Sequence, residues 1–275
     1  MLYCSVNGQQ QSTIEISDRA IAYGDGLFTT AKIVDGQVQF LSAHINRLIE
    51  GCHYLKIDFT QHQALVDEIN NVAQGFSTAV LKVIITAGSG GRGYSRKGVI
   101  STQTIVSIHE FPSHYQTWSE QGVSLVNGNI QLGLNPLLKG LKHLNRLEQV
   151  LIRDELDHSK ADDLLVCDLN GFVVETSCAN IFWLRDEQIF TPVLDDAGVC
   201  GLYRQQILSF DENVQQVKET PSELADISAM FICNSVMGIV PVKTFNNEPL
   251  NTESVMQYRE TFLEHFLGKA LKKDN

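Results

Sequence analysis

Tight two-residue turns between strand-like segments constrain this chain most. Asn-Gly separates "LYCSV" from "QQQSTIEI", Asp-Gly separates "FTTAKIV" from "QVQF", and a second Asn-Gly separates "DLLVCDL" from "FVVET". These dipeptides favour two-residue hairpin loops, because Asn, Asp and Gly tolerate positive φ. Hairpins this frequent predict antiparallel or mixed sheets, and therefore an α+β fold rather than a regular alternation of strands and helices.

Helices are predicted where the apolar period changes from two to about 3.6 residues. One covers residues 42–55, with Ser42 as its N-cap. Others are predicted at residues 61–73, from about Leu144 to His158, after Gly201, and at the C-terminal end. The runs "AVLKVIITAG" and "TQTIVSIHEF" predict buried strands around a glycine-rich loop, and "AMFICNS" and "IVPVKTF" predict two more.

The length of 275 residues allows two domains that each bury a core. Pro112 ends the first half, and residues 111–118 are predicted to connect the domains. We therefore expect an N-terminal domain over 1–111 and a C-terminal domain over 119–275.

Charge and composition exclude several classes of protein. The formal net charge of −11 leaves no basic footprint for nucleic acid. No apolar run reaches the roughly 18 residues of a membrane helix, and the N-terminus lacks the features of a signal peptide. The six cysteines are scattered without a CxxC pair, which favours free thiols in a reducing cytoplasm. We expect a cytoplasmic protein with no nucleic-acid or membrane partner.

Several catalytic motifs are absent. His109 and His114 are five positions apart where the HExxH zinc motif needs four, and Pro112 would break that helix. The stretch "GSGGRG" lacks the Lys-Ser/Thr ending of a P-loop, and there is no GxSxG nucleophile motif. No metal site is predicted.

Three separated pieces fit one chemistry. Lys142 precedes a helix, Glu175 ends an apolar strand, and Gly201 precedes a second helix whose first N–H groups can bind a phosphate. Pyridoxal phosphate needs a lysine to link to, a carboxylate for its pyridine nitrogen and a site for its phosphate. Each piece alone is more often an ordinary surface lysine, strand end or turn.

Seven motifs occur in the order found in one family. They are "SDRAIAYGDGLFTTAKI" (17–33), "HINRL" (44–48), "GSGGRGYS" (88–95), "KHLNRLEQVL" (142–151), "NGFVVETSCANIF" (170–182), "TPVLDDAGVCGLYRQ" (191–205) and "CNSVMGIVPV" (233–242). Together they resemble the fold-type IV pyridoxal phosphate enzymes over nearly the whole chain. The resemblance implies a smaller N-terminal α/β sandwich, a larger barrel-like C-terminal domain with a mixed sheet, a cofactor in the cleft between them, and a homodimer.

The resemblance also implies roles for individual residues. Lys142 matches the lysine that links to the cofactor and carries protons. Glu175 matches the carboxylate that faces the pyridine nitrogen, and Arg47 matches the phosphate-binding arginine. Further phosphate contacts are implied for Gly201, Leu202, Tyr203, Asn234 and Ser235.

Two stretches, "GSGGRGYS" and "GLKHLNRLEQVLIR", are most similar to the aminodeoxychorismate lyases of that family. This implies a small anionic substrate, 4-amino-4-deoxychorismate, that is split into 4-aminobenzoate and pyruvate in folate biosynthesis. Lys142 and Thr30 are the candidate catalytic residues. The candidate substrate-binding residues are Arg92, Tyr94, Asn145 and Arg146.

Two other functions remain open. A D-amino acid or branched-chain aminotransferase shares the cofactor residues, although aminotransferases often carry a tyrosine soon after the lysine, where this chain has Asn145 and Arg146. A pyridoxal phosphate carrier or regulator without turnover is a third alternative. The presence of both Lys142 and Glu175 argues against that alternative, because only catalysis needs both a covalent link and an electron sink.

Overall fold

The computed structural model describes residues 1–273. The chain groups into two compact units, one made of Met1–Pro112 with Leu141–Arg146, and the other of Ser113–Gly140 with the chain from residue 147 onward. The short segment Leu141–Arg146, which carries Lys142, groups with the first unit, although the predicted division placed it within 119–275.

The first unit is an antiparallel six-stranded sheet with helices. Its elements are β1 (Tyr3–Val6), β2 (Gln9–Gln10), α1 (Arg19–Tyr23), β3 (Gly26–Val34), β4 (Gln37–Val38), α2 (Leu41–Tyr54), α3 (His62–Ala73), β5 (Thr78–Thr86) and β6 (Gln103–His109). The strand order is β2-β1-β6-β5-β3-β4. Every second residue of β3 is buried, as the two-residue period of a strand requires: Leu27, Thr29, Ala31 and Ile33. This face shares one apolar core with α2 and α3.

The second unit is built on a mixed nine-stranded sheet. Its elements are α4 (His114–Gln121), β7 (Val123–Asn127), α5 (Leu147–Asp157), β8 (Asp163–Cys167), β9 (Val173–Thr176), β10 (Asn180–Arg185), β11 (Gln188–Pro192), α6 (Leu202–Phe210), β12 (Gln215–Val217), a 3₁₀ helix (Pro221–Leu224), β13 (Ala229–Asn234), β14 (Gly238–Phe245), β15 (Glu248–Pro249) and α7 (Glu253–Lys273). The strand order is β12-β11-β10-β13-β14-β7-β8-β9, and β15 pairs with β14. Strand β9, at one end of this order, also lies beside β10 and β11, so the sheet curls on itself.

All three predicted hairpins form, but only the first two have two-residue turns, because the β8–β9 connection covers residues 168–172 and Asn170 is not at positive φ. Asn7 and Gly8 join β1 to β2 with φ of 51° and 76°, and Asp35 and Gly36 join β3 to β4 with φ of 49° and 76°. Asn-Gly and Asp-Gly predict tight turns because these residues tolerate the positive φ values found here. The mixed pairing of the larger sheet confirms the α+β class.

Two local predictions were wrong. The first helix of the core, α2, begins at Leu41, so Ser42 lies inside its first turn and does not cap it. The predicted connection at residues 111–118 stays a prediction; it contains the start of α4 at His114. The helix predicted from Leu144 begins instead at Leu147, because the residues before it pair with β3.

Within residues 1–273, no helix is both long and apolar enough to cross a membrane. All six cysteines are free thiols, as the sequence predicted.

Candidate active site

The segment around Lys142 runs as a short extra strand along β3. Phe28 N–H donates to the Lys142 carbonyl at 2.9 Å, and Leu144 N–H donates to the Gly26 carbonyl at 3.0 Å. These two bonds fix residues 142–144 in an extended conformation before α5 begins. The prediction that Lys142 precedes a helix is confirmed.

The Lys142 ammonium lies on the face of β3 that carries Phe28. Its Nζ is 4.7 Å from the centre of the Phe28 ring, and Lys82 Nζ is 5.2 Å from the same centre. Thr30 is two residues further along β3, so its side chain points to the same face as Phe28. Thus the two residues predicted to be catalytic, Lys142 and Thr30, lie on one side of this sheet.

Arg146 and Asn145 brace the segment that carries Lys142. The Arg146 guanidinium donates to the carbonyl of His143 at 2.9 Å and to that of Leu141, on either side of the lysine. Asn145 Nδ2 donates to the Gly24 carbonyl at 3.1 Å. Burial and the Arg146 charge lower the pKa of His143 to about 4, so this imidazole is neutral near pH 7. A substrate role for Asn145 and Arg146 stays a prediction.

Arg47 is a partly buried cation without an anionic partner. It lies on α2, and its Nη2 donates to the hydroxyl of Thr29. Its Nε is buried and has no hydrogen-bond partner among the described residues. None of these residues forms an ion pair with the Arg47 guanidinium. Burial lowers the pKa of Arg47 to about 10. Buried charges in proteins are normally paired, so this guanidinium fits the site of an anion.

Glu175 lies in the second unit, on β9, with only 6% of its surface exposed. Its Oε2 accepts a hydrogen bond of 2.9 Å from the Val199 N–H. The neighbouring Gly198 has φ of +83°, and a Cβ there would lie 2.5 Å from Val174 Cγ1 and 3.4 Å from Glu175 Oε2. A glycine is therefore required at position 198 for the loop to approach Glu175 this closely.

The N-terminus of α6 has the geometry expected of a phosphate site. Gly201 is its N-cap, with extended backbone and no capping side chain. The first helical bond runs from Gln205 N–H to the Gly201 carbonyl, so the N–H groups of the first turn have no partner inside the helix. The side chains of Leu202 and Tyr203 are buried, which leaves only their backbone for the predicted role.

Asn234 and Ser235 follow β13 in the same unit. Asn234 Oδ1 accepts from the N–H groups of Val236 and Met237 at 2.9 and 3.0 Å, and its Nδ2 donates to the Cys178 carbonyl at 3.3 Å. Asn234 thus shapes the turn that carries Ser235, which is half-buried. Phosphate contact by either residue stays a prediction.

The glycine-rich loop belongs to the first unit and exposes both of its predicted substrate residues. Arg92 is exposed, and the Tyr94 ring, 90% exposed, lies 5.5 Å from the Tyr23 ring. The buried Arg19 holds the loop by donating to the carbonyls of residues 93, 94 and 95 at 3.1 to 3.2 Å. The Asp25 carboxylate accepts from Arg19 Nε at 2.7 Å and from Arg96 Nε at 2.9 Å.

Sequence analysis missed the residues that support this site. They are Thr29, His44, Asn180, Val199, Arg19 and Asp25. One signal was available: His44 precedes Arg47 by three residues in a helix, so the two had to be neighbours. The pairing of Asp25 with Arg96, 71 positions away, left no trace in the local pattern.

Comparison with known proteins identifies the class. The family profile described as amino-transferase class IV matches residues 26–245, and the chain belongs to this family. Over 241 residues the chain is 37% identical to the aminodeoxychorismate lyase of Vibrio harveyi, covering 86% of this chain and 89% of that protein.

Solved structures agree with this assignment. The crystal structure of 4-amino-4-deoxychorismate lyase from Pseudomonas aeruginosa has a TM-score of 0.88 and 33% identity, covering 95% of this chain and 98% of that one. The branched-chain amino acid aminotransferase of Escherichia coli has a TM-score of 0.82 at 18% identity, covering 97% and 93%, which shows the shared fold alone. The predicted fold-type IV architecture is confirmed.

Pyridoxal phosphate is the cofactor of this family. The residues present fit it. Arg47 is a partly buried cation for which the described residues supply no anion, and Gly201, the N-cap of α6, has no side chain to cap the first turn. Glu175 places a buried carboxylate, as the protonated pyridine nitrogen requires.

Proposed function

We propose that this chain is a pyridoxal phosphate-dependent lyase that converts 4-amino-4-deoxychorismate into 4-aminobenzoate and pyruvate, a step of folate biosynthesis. The 37% identity to the Vibrio harveyi aminodeoxychorismate lyase over 86% of the chain carries the proposal.

The family resemblance assigns each proposed cofactor contact to a residue of this chain. From the first unit, Lys142 provides the amine that links to the cofactor and Arg47 binds its phosphate. From the second, Glu175 holds the protonated pyridine nitrogen. The remaining phosphate contacts come from the backbone of Gly201, Leu202 and Tyr203 and from Asn234 and Ser235.

The bound cofactor supplies an electron sink for the carbanion that forms when the substrate loses a proton. Lys142 Nζ, released when the substrate amine replaces it, takes that proton from the ring carbon that bears the amine. Lys142 or the Thr30 hydroxyl then gives a proton to the departing enolpyruvate as the ether C–O bond breaks. The balance closes without water, since the proton lost from the ring reappears in pyruvate and the ring becomes aromatic.

Substrate binding needs positive charge, because the substrate carries two carboxylates. In an acidic chain the proposed donors are Arg92 and Tyr94 on the glycine-rich loop, with Asn145 and Arg146 beside Lys142. The backbone of this loop is fixed by Arg19, which supports a defined position for the loop. We further propose a cytoplasmic homodimer, in keeping with six free thiols and the family resemblance.

Turnover without a keto acid tests the reaction class. A lyase releases 4-aminobenzoate and pyruvate for many cycles, whereas an aminotransferase stops after one half-reaction until a keto acid arrives. The purified protein is mixed with 4-amino-4-deoxychorismate alone, and both products are followed by chromatography. Lys142→Ala measures the background.

Equal molar amounts of both products, in large excess over the enzyme, are expected. The lyase assignment fails if no 4-aminobenzoate forms. Rapid 2-oxoglutarate-dependent transfer of the amino group from D-alanine or leucine would then assign the chain to the aminotransferases, which share its fold.

A further inference from the structure

Thr29 and His44 form a buried polar pair inside the first unit, next to Arg47. Thr29 is 1% exposed on β3, and His44 is 1% exposed on α2. Thr29 Oγ1 lies 2.6 Å from His44 Nδ1, and the same oxygen contacts Arg47 Nη2. Three residues from two elements therefore meet at one hydroxyl.

The chemistry of the three groups fixes the direction of both hydrogen bonds. A guanidinium has only donors, so the Thr29 oxygen accepts from Arg47. The single Thr29 hydrogen then needs an acceptor, which His44 Nδ1 provides when its own proton is on Nε2. Burial and the Arg47 charge lower the pKa of His44 to about 3, so its imidazole is neutral and can accept. His44 Nε2 is buried and has no partner among the described residues.

The alternative direction leaves one more buried group unsatisfied. His44 Nε2 has no partner among the described residues in either tautomer. If His44 Nδ1 donated to Thr29, the Thr29 hydrogen would also lack an acceptor, which costs about 1–3 kcal/mol. The directed chain therefore runs from Arg47 through Thr29 to His44. In this arrangement Arg47 Nη2 donates to Thr29, and the buried Nε of Arg47 has no hydrogen-bond partner among the described residues.

Strand β3 fixes the positions of Arg47 and Lys142 relative to each other. Phe28 lies against Lys142 Nζ, and the next residue, Thr29, binds Arg47. Successive side chains of a strand point to opposite faces, so one rigid strand fixes both groups through adjacent residues. A shift of Thr29 would move Arg47 relative to Lys142.

We propose that Thr29 and His44 are positioning residues that hold Arg47 in the orientation that binds the phosphate of the cofactor. The inference rests on the proposed function only in taking Arg47 as the phosphate-binding arginine. Neither residue touches the reacting atoms. Their effect is exerted on phosphate recognition and not on the ring chemistry.

Two matched substitutions separate the hydroxyl from the packing. Thr29→Val keeps the side-chain shape and removes the hydroxyl, whereas Thr29→Ser keeps the hydroxyl and removes the methyl group. His44→Leu removes the acceptor, and His44→Asn keeps a carbonyl oxygen near the Nδ1 position. Arg47→Leu sets the scale for complete loss of the guanidinium.

The readout is the preference for pyridoxal phosphate over pyridoxal, measured as the ratio of their dissociation constants by absorbance titration. Damage to folding weakens both ligands, but a misplaced Arg47 weakens only the phosphorylated one. We expect Thr29→Val to reduce the preference about tenfold or more, as loss of a hydrogen bond to a charged group predicts. His44→Leu, which removes the acceptor of the Thr29 hydrogen, should change the preference in the same direction. Thr29→Ser and His44→Asn should retain most of it.

Each outcome has a defined meaning. If Arg47→Leu abolishes the preference and Thr29→Val leaves it unchanged, the positioning role is wrong. Equal weakening of both ligands by Thr29→Val makes Thr29 merely structural and also overturns it. If Arg47→Leu keeps the preference, the phosphate assignment of Arg47 fails with the inference, while the product assay tests the lyase reaction separately.

A second measurement needs no variant with altered binding. Nitrogen-15 NMR of the wild-type protein without cofactor should show His44 neutral and protonated on Nε2 between about pH 5 and 8, against an ordinary histidine pKa of about 6.5. His44→Asn assigns the resonance. A proton on Nδ1, or a titration near pH 6.5, would overturn the directed chain.

Discussion

Asn180 holds the backbone at the start of α6 with both ends of its side-chain amide. Its Oδ1 accepts from the Gly201 N–H at 3.1 Å, and its Nδ2 donates to the Val199 carbonyl at 2.9 Å. A Cβ at Gly201 would lie 2.0 Å from that Oδ1, so any larger residue would displace the amide. Val199 in turn donates to Glu175. One asparagine therefore supports both the proposed phosphate site and Glu175, the carboxylate proposed to face the pyridine nitrogen.

Asn180→Ala should weaken pyridoxal phosphate binding about tenfold, because two buried hydrogen bonds of about 0.5–1.5 kcal/mol each are lost. The dissociation constant is measured by equilibrium dialysis and absorbance. Asn170→Ala is the matched control, since Asn170 is exposed on the β8–β9 turn of the same unit. Unchanged cofactor affinity in Asn180→Ala would show that α6 keeps its position without this amide.

Lys142→Ala should remove the covalent link to the cofactor and nearly all turnover. The absorption band of the lysine-linked cofactor near the edge of the visible range should disappear, while noncovalent binding through Arg47 and the α6 N-terminus partly remains. Lys139→Ala is the control, because Lys139 is 48% exposed and pairs with Asp195 at 3.7 Å on the surface. Loss of the band in Lys139→Ala and its retention in Lys142→Ala would reverse the assignment.

Glu175→Gln should leave the cofactor linked and reduce turnover steeply. Glutamine keeps an oxygen that can accept from Val199, but it removes the negative charge that favours a protonated pyridine nitrogen. Spectra give the bound cofactor and product assays give turnover, with Glu187→Gln, an exposed residue on the β10–β11 turn, as the control. Normal turnover in Glu175→Gln would rule out a pyridine contact.

Local features of the fold could be predicted because their signals lie within a few residues. The Asn-Gly and Asp-Gly dipeptides specify positive φ directly, and the alternation along "GLFTTAKIV" specifies which face of β3 is buried. The order of the seven motifs along the chain was sufficient to indicate the family. These predictions needed no knowledge of long-range contacts.

The predictions failed where contacts with a distant segment of the chain determine the local structure. The helix was predicted from about Leu144, yet the pairing of residues 143 and 144 with residues 26 and 27 delays its start to Leu147. Asn180 joins β10 to the start of α6, and Thr29 joins β3 to α2. No local sequence pattern predicts these contacts. Such contacts override local propensity because they satisfy buried backbone and side-chain groups.

Asp25 lies between two segments of the first unit, the glycine-rich loop and the segment that carries Lys142. Its carboxylate, 11% exposed, pairs with Arg19, which holds the glycine-rich loop, and with Arg96, which donates to the Leu55 carbonyl at 2.6 Å. Its neighbours Gly24 and Gly26 accept hydrogen bonds from Asn145 and Leu144 in the Lys142 segment. Asp25→Asn should lower the free energy of unfolding by about 3 kcal/mol, because the buried Arg19 loses its partner.

The effect should depend on pH in a defined direction. Burial opposes the charged carboxylate, but hydrogen bonds from Arg96 and Arg19 outweigh it and hold the pKa of Asp25 below its ordinary value of 3.8. A depressed carboxyl pKa stabilises the folded state above the unfolded-state pKa, and this stabilisation is lost as pH falls through the folded-state value. Urea unfolding of wild type and Asp25→Asn should therefore differ most above about pH 5 and converge as the pH falls through the lowered folded-state pKa of Asp25. Asp157→Asn, which removes an exposed ion pair with Arg153, should cost under about 1 kcal/mol. A gap between wild type and Asp25→Asn that stays constant from pH 7 to pH 2 would show that the Asp25 charge does not stabilise this unit.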